Sequence, residues 1–258
     1  MGSRIIQLQS LERLLNIIDE LREKCPWDRN QTFETLRHLT IEETYELGDA
    51  ILENNLDEIK KELGDLLLHI FFYSKIGSEK KAFDIADIAN QISDKLIRRH
   101  PHIYGENNIE DADQVVKNWE DIKLKEGKKS VLEGVPNSLP ALVKAYRIQD
   151  KVSGVGFDWD QKEAVLEKVK EELDELRTEI DAGDSKKMEA ELGDVMFSLV
   201  NYARFLKVNP ENALERTNKK FIRRFKYIED KALKSQRKVS ELSIEEMEIL
   251  WEEAKKTK

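Results

Sequence analysis

Residues 41–72 read IEETYELGDAILENNLDEIKKELGDLLLHIFF, and their acids include two pairs, Glu43-x-x-Glu46 and Glu62-x-x-Asp65. A spacing of three puts both members of a pair on one face of an α-helix. Apolar residues recur at helical spacing through the same stretch, which predicts helices over 33–54 and 56–76. Two helix faces, each with two carboxylates, can therefore meet. Directly after Asp65 comes Leu66-Leu67-Leu68-His69-Ile70-Phe71-Phe72, almost wholly apolar, so this end of the helix must be buried and His69 is read as a core residue. Acids that border buried surface need partners.

The pattern returns. Glu172, Glu175, Glu191 and Asp194 each stand 129 residues beyond Glu43, Glu46, Glu62 and Asp65, with Leu-Gly inside the second pair both times. Further on, Lys95-Leu-Ile-Arg98-Arg99 reappears as Lys220-Phe-Ile-Arg223-Arg224 at an offset of 125. One Glu-x-x-Glu in a chain with 52 Asp and Glu is normally a solvated helix face. The same acids, glycine and basic run in the same order twice argue instead for a duplicated module. Gly64 and Gly193 add to this, because a glycine inside a helix costs about 1 kcal/mol against alanine and calls for close approach by a helix or ligand.

Elsewhere the periodicity predicts helices over 8–24, 84–99, 112–126, 139–152, 161–182, 184–206, 210–235 and 243–257, and no segment alternates as a strand would. Pro26, Pro101 and Pro136 fall between these segments, and Pro140 and Pro210 in the first turn of theirs. Charged residues at 37% with aromatics at 7% fit long solvent-facing helices, so the fold class is all-α. The joint GKKSVLEGVPNSLP, 127–140, is rich in Gly, Pro, Ser and Asn, and divides the chain into an N-terminal module 1–128 and a C-terminal module 129–258.

The net charge of −9 excludes broad nucleic-acid binding, which needs an excess of Lys and Arg on one face. No apolar run approaches the roughly 20 residues that span a bilayer. A single cysteine, Cys25, allows no internal disulfide and fits a cytoplasmic protein. Four converging carboxylates would repel one another unless cations lay between them, and hard oxygen donors suit Mg²⁺ or Mn²⁺ rather than zinc. Lys187, four residues before Glu191, lies on the face that carries the acids. The Lys-x-x-Arg-Arg run has the charge and the guanidinium forks to hold a metal-bound polyphosphate. Trp27 and Trp159, just before the first acid helix of each half, are expected to plug the bundle rather than to stack on a base.

These residues resemble those of the MazG family over essentially the whole chain. The resemblance is carried by Cys25-Pro26-Trp27-Asp28, Ile41-Glu42-Glu43-Thr44-Tyr45-Glu46, Glu62-Leu63-Gly64-Asp65-Leu66-Leu67, Ile97-Arg98-Arg99-His100-Pro101-His102, Gly156-Phe157-Asp158-Trp159 and Asn201-Tyr202-Ala203-Arg204-Phe205. It implies two tandem helical bundles of the all-α nucleoside triphosphate pyrophosphatase type, a homodimer, and Mg²⁺-dependent conversion of NTP or dNTP to monophosphate and pyrophosphate. In the second half it implies Glu172, Glu175, Glu191 and Asp194 as metal ligands and catalytic acids. Lys187, Lys220, Arg224, Trp251 and Lys255 would then contact the substrate. In the first half the matching set is Glu43, Glu46, Glu62 and Asp65 for metal, with Lys95 and Arg99 as the basic positions of a secondary site. Glu58 stands where Lys187 would repeat, and nothing there repeats Trp251 and Lys255, so the first site is expected to be weaker. Two alternatives stay open: a non-catalytic helical metal-binding interaction protein, and a hydrolase of the same fold restricted to one nucleotide such as dUTP or dCTP.

Overall fold

A computed structural model describes residues 3–105, 122 and 130–256. The chain forms two compact units, Met1–Glu110 and Asp111–Lys258. The first contains α1 (Arg4–Lys24), α2 (Pro26–Arg29), α3 (Phe33–Leu52), α4 (Leu56–Glu79), α5 (Ile85–Arg99) and α6 (Pro101–Tyr104). The second contains α7 (Ala141–Ser153), α8 (Lys162–Ala182), α9 (Ser185–Phe205), α10 (Pro210–Lys234), a 3₁₀ turn (Val239–Glu241) and α11 (Ile244–Lys256). No strand occurs among the described residues. The helix predicted over 112–126 falls, Ile122 apart, outside them, as does the division expected between residues 128 and 129.

The prolines start helices. Pro26, Pro101 and Pro210 are the first residues of α2, α6 and α10, where a missing N–H leaves no bond unmade. Two of these helices, α2 and α6, are single turns too short for apolar periodicity to reveal.

Each unit is organised around one helical hairpin, α3–α4 or α8–α9, and the two hairpins turn alike. Asn54 (φ 54°) and Gly183 (φ 74°), 129 residues apart, both take the left-handed conformation that ends a helix. The next residue caps the second helix in each case. Asn55 Oδ1 accepts from the Glu58 N–H at 3.3 Å, and Asp184 Oδ1 from those of Lys186 and Lys187 at 3.1 and 3.2 Å. Asp84 and Asn209, 125 residues apart, likewise cap α5 and α10, the helices that carry the basic runs. The repeat thus extends from the acids to the turns and caps that place them.

In the first unit Ile18, Leu36, Phe71, Phe72 and Ile76 form the core, with Leu14, Phe33, Leu67 and Tyr73 packed on it. Burying a side chain such as Phe72 contributes about 1.5–3 kcal/mol, enough for a few such residues to set the hairpin's register against α1. His69 is 7% exposed, as its apolar neighbours required, and burial lowers its pKa from the ordinary value despite the nearby Asp65. In the second unit the buried apolar residues are Val165, Val169, Val195, Val200, Ile228, Ala232 and Ala254, drawn from α8, α9, α10 and α11. No helix among the described residues is long and apolar enough to cross a membrane.

One expectation about packing is overturned, and another is not met within the described chain. Trp27 and Trp159 are 59% and 47% exposed and plug nothing, because each sits in the joint before the hairpin rather than on a core-facing helix position. A Cβ added at Gly64 or Gly193 would meet no atom within 4 Å, so no other part of the described chain approaches these glycines closely.

Candidate active site

The hairpins bring the acids together as their spacing requires. In the first unit Glu43 and Glu46 of α3 and Glu62 of α4 place one carboxylate oxygen each within 4.8 Å of one another. In the second, Glu172 and Glu175 of α8 and Glu191 of α9 do the same. Asp65 and Asp194, one turn further along α4 and α9, fall outside these trios, yet both bear on them electrostatically. Burial raises the Glu43 carboxyl above the ordinary range, and Asp65, Glu46 and Glu62 push it further in the same direction. Glu191 is raised in the same way, by desolvation first and then by Glu175, Asp194 and Glu172.

The trios differ in which acid is buried and which lysine neutralises it. In the first unit Glu62 is the buried member, 2% exposed, and Lys61 lies 2.9 Å from its Oε1. Its Oε2 is buried without a hydrogen-bond partner. In the second unit the buried member is Glu172, 7% exposed, and Lys168, one turn back on α8, lies 2.8 Å from its Oε1 and 3.0 Å from Glu171 Oε1. These two carboxylates raise the Lys168 pKa well above the ordinary value. Oxygen-only donors, a buried carboxylate oxygen with no partner and two carboxyls raised by burial and then by their acidic neighbours all fit a hard divalent cation between the acids.

Beside the second trio lies a cavity of about 600 Å³. Glu172, Asp194 and Lys168 line it together with Trp159, Phe157 and apolar residues of α7 and α8. The joint that bears Phe157 and Trp159 is tied to α9 by Arg204, which donates to both oxygens of Asp158 and, at 2.9 Å, to Asn201 Oδ1. Two of the strings quoted above, Gly156–Trp159 and Asn201–Phe205, are thus held to each other. The first unit fixes its own aromatic joint with an arginine from another helix. Arg22 of α1 donates to the carbonyls of Asp28, Arg29 and Gln31 at 2.6, 3.0 and 2.9 Å and pairs with both oxygens of Glu79.

The basic residues expected at the substrate stand apart from this cavity. Lys187 is exposed at the start of α9 and pairs with Glu179 at 3.5 Å. The Arg224 guanidinium lies over the Trp251 ring at 5.4 Å, and that ring also packs on Phe221 at 5.0 Å, so α10 and α11 hold Arg224 and Trp251 as one unit. Lys220 is exposed one turn before Arg224, and Lys255 pairs with Glu252. None of these five residues lines the cavity. In the first unit Lys95 is exposed and Arg99 half-buried, both on α5. Sequence reasoning missed Lys168, whose signal was its position four residues before Glu172. It also missed the pairing of Asp158 with Arg204, for which no signal exists across 46 residues.

An all-α chain whose two hairpins each gather a carboxylate trio is the architecture expected of a nucleotide pyrophosphohydrolase of the MazG kind. A sequence model of the MazG nucleotide pyrophosphohydrolase domain matches twice, over residues 31–104 and 160–228, and so covers both hairpins. The nucleoside triphosphate pyrophosphohydrolase/pyrophosphatase MazG of Thermotoga maritima is 47% identical over 249 residues, 95% of either chain. The nucleoside triphosphate pyrophosphohydrolase of Escherichia coli K12 is 41% identical over 258 residues, 96% of this chain and 98% of that one. YabN of Bacillus subtilis, an uncharacterised protein, is 45% identical over 248 residues, which make up 51% of its length. The chain belongs to the MazG family.

Proposed function

We propose that the protein hydrolyses nucleoside triphosphates, ribo- and deoxyribo- alike, to the monophosphate and pyrophosphate, with Mg²⁺ as cofactor and broad tolerance of the base. The observation that carries this reading is the acid cluster of the second unit, of which Glu172 and Asp194 line a cavity of nucleotide size. The names of the relatives over nearly the full chain support it.

In this mechanism Glu172, Glu175 and Glu191 would hold the cation, with Asp194 beside them. When bound it would neutralise the triphosphate and make a water acidic enough to attack. The remaining work falls to the chain. Lys168 offers a second positive charge at the cavity wall. The family resemblance implies that Lys187, Lys220 and Arg224 face the phosphates and that Trp251 and Lys255 also contact the substrate; all five would have to approach from α9, α10 and α11 as substrate binds. A carboxylate of the cluster left free by the metal would take the proton of the attacking water. Positioning and charge stabilisation do most of the chemistry in such a reaction.

The active form is read as a homodimer in the cytosol. Leu173 and Ile180 on α8 and Leu192, Met196 and Leu199 on α9 are each about half exposed, and Gly193 among them leaves room for a second helix. Assay of a panel of NTPs and dNTPs with and without Mg²⁺ tests the reading. Pyrophosphate and monophosphate should form only with the metal. Diphosphate and orthophosphate as products, or full activity in excess chelator, would refute it.

A further inference from the structure

We propose that Gln149 reads the nucleobase: its side-chain oxygen accepts a hydrogen bond from an exocyclic amino group, so that the second unit favours cytosine over uracil and adenine over hypoxanthine. The proposal rests on the reading that the cavity beside Glu172 and Asp194 receives a nucleoside triphosphate.

Gln149 of α7 is 4% exposed and lines that cavity. Its Nε2 donates to the Phe197 carbonyl of α9 at 2.7 Å. Turning the amide over would set two oxygens at that distance, so the contact fixes which end of the amide faces α9. Oε1 is left buried without any hydrogen-bond partner. A buried acceptor with no donor costs about 1–3 kcal/mol, and a protein that keeps one at the wall of a cavity has a use for it.

The other polar side chains of the wall are engaged or already assigned. Lys168 and Glu172 pair with each other, Asp158 and Asn201 both accept from Arg204, and Ser198 donates to the Val195 carbonyl. Asp194 belongs to the acid cluster. Around Gln149 the surface is apolar, with Ile148, Val152 and Val165, and Trp159 supplies an aromatic face. A base whose triphosphate rests on the acids finds here one surface to pack on and one buried polar group left unpaired, Gln149 Oε1, to meet.

That group is an acceptor, which gives the preference its sign. Cytosine and uracil differ in presenting an amino group or a carbonyl oxygen at C4, and adenine and hypoxanthine differ in the same way at C6. The amino group donates to Oε1. The carbonyl sets acceptor against acceptor and leaves both unpaired. One neutral hydrogen bond is worth about 0.5–1.5 kcal/mol net, so the expected preference is about three- to tenfold and remains compatible with broad tolerance.

The test compares kcat/KM for CTP against UTP and for ATP against ITP in the full-length protein and in Gln149→Met, with dissociation constants for the same four nucleotides by calorimetry. The wild type should favour CTP and ATP by about three- to tenfold. The variant, close in volume but without the acceptor, should bring both ratios to about one. Equal or reversed ratios in the wild type, or ratios unchanged in a variant of normal helix content, overturn the proposal. If Gln149→Met does not fold, the wild-type ratios decide alone. Release of pyrophosphate from none of the four would refute the hydrolase reading, and the calorimetric ratios would then decide this one.

Discussion

Lys168 Nζ lies 2.8 Å from Glu172 Oε1, so the most buried acid of the second cluster is neutralised by a lysine of its own helix. In the first unit Lys61 does the same for Glu62 from the adjoining position. Either lysine occupies, electrostatically, the place of a cation. Lys168→Met should therefore leave the acids with no internal counter-charge. Mn²⁺ should then bind the nucleotide-free protein about three- to tenfold more tightly, the range expected for a partly exposed charge pair of about 1 kcal/mol. Thermal unfolding in excess chelator should begin at a lower temperature. Unchanged Mn²⁺ affinity by calorimetry would show that the lysine does not compete for the site.

The Asp158–Arg204 pair holds the joint that bears Phe157 and Trp159 on α9. Both side chains are mostly buried, at 28% and 15% exposed, and the guanidinium grips both carboxylate oxygens, which a lysine cannot reproduce. Arg204→Lys should thus loosen the joint without unfolding the unit. We expect a several-fold rise in KM with kcat little changed, and faster amide hydrogen exchange over residues 154–161. Exchange confined to its wild-type rate would show that the pair does not hold the joint.

The hairpins were legible because three independent signals agreed on them: apolar spacing, the acid pairs and the 129-residue offset. The turn could have been read too, since Asn54-Asn55 and Gly183-Asp184 pair a left-handed residue with a capping side chain. The buried acid was not legible. Glu62 and Glu172 are not equivalent positions of the repeat, and which one becomes buried depends on neighbouring helices that periodicity does not locate. The tryptophans were misjudged for a related reason. Size and apolarity argue for burial, but Trp27 and Trp159 lie in joints, where the backbone, not the side chain, decides which way the ring faces. Gln149 gave no signal at all, because an unpartnered oxygen exists only once α7 and α9 are packed.

The C-terminal helix depends on a carboxylate that titrates unusually low. Glu246 accepts from both Nη atoms of Arg237 at 2.7 and 2.9 Å and from the Ser243 N–H at 2.8 Å, while Ser243 Oγ accepts from the Glu246 N–H at 3.2 Å. This is a reciprocal cap reinforced by an ion pair. Arg237 first, and then the Ser243 N–H, lower the Glu246 pKa from 4.5 to about 2. A depressed folded-state pKa contributes stability above the unfolded value, and that contribution is lost as pH falls from about 4.5 towards 2. Glu246→Gln should therefore be less stable than wild type at pH 6 and about equal to it near pH 2. Urea midpoints at the two pH values check this, and a deficit that persists undiminished at the lower pH would contradict it.

The two carboxylate trios have the same spacing, but their surroundings differ, and on that difference we expect the second to carry the chemistry. Glu175 and Asp194 belong to a cluster at the wall of a cavity that also offers Lys168 and Trp159. Lys187 begins the helix that carries Glu191, whereas the corresponding residue of the first unit is Glu58, which brings a negative charge towards an anionic substrate. Glu46 and Glu175 are exposed, so truncating either removes a ligand at little cost to packing. Glu175→Ala or Asp194→Ala should abolish most pyrophosphate release, while Glu46→Ala or Asp65→Ala should leave a substantial fraction. Circular dichroism should be unchanged in all four. Assayed side by side, inactive first-unit variants with active second-unit variants would move the reaction to the other hairpin. Loss of activity in all four would mean that the units act as one catalyst, with the first trio required by the second.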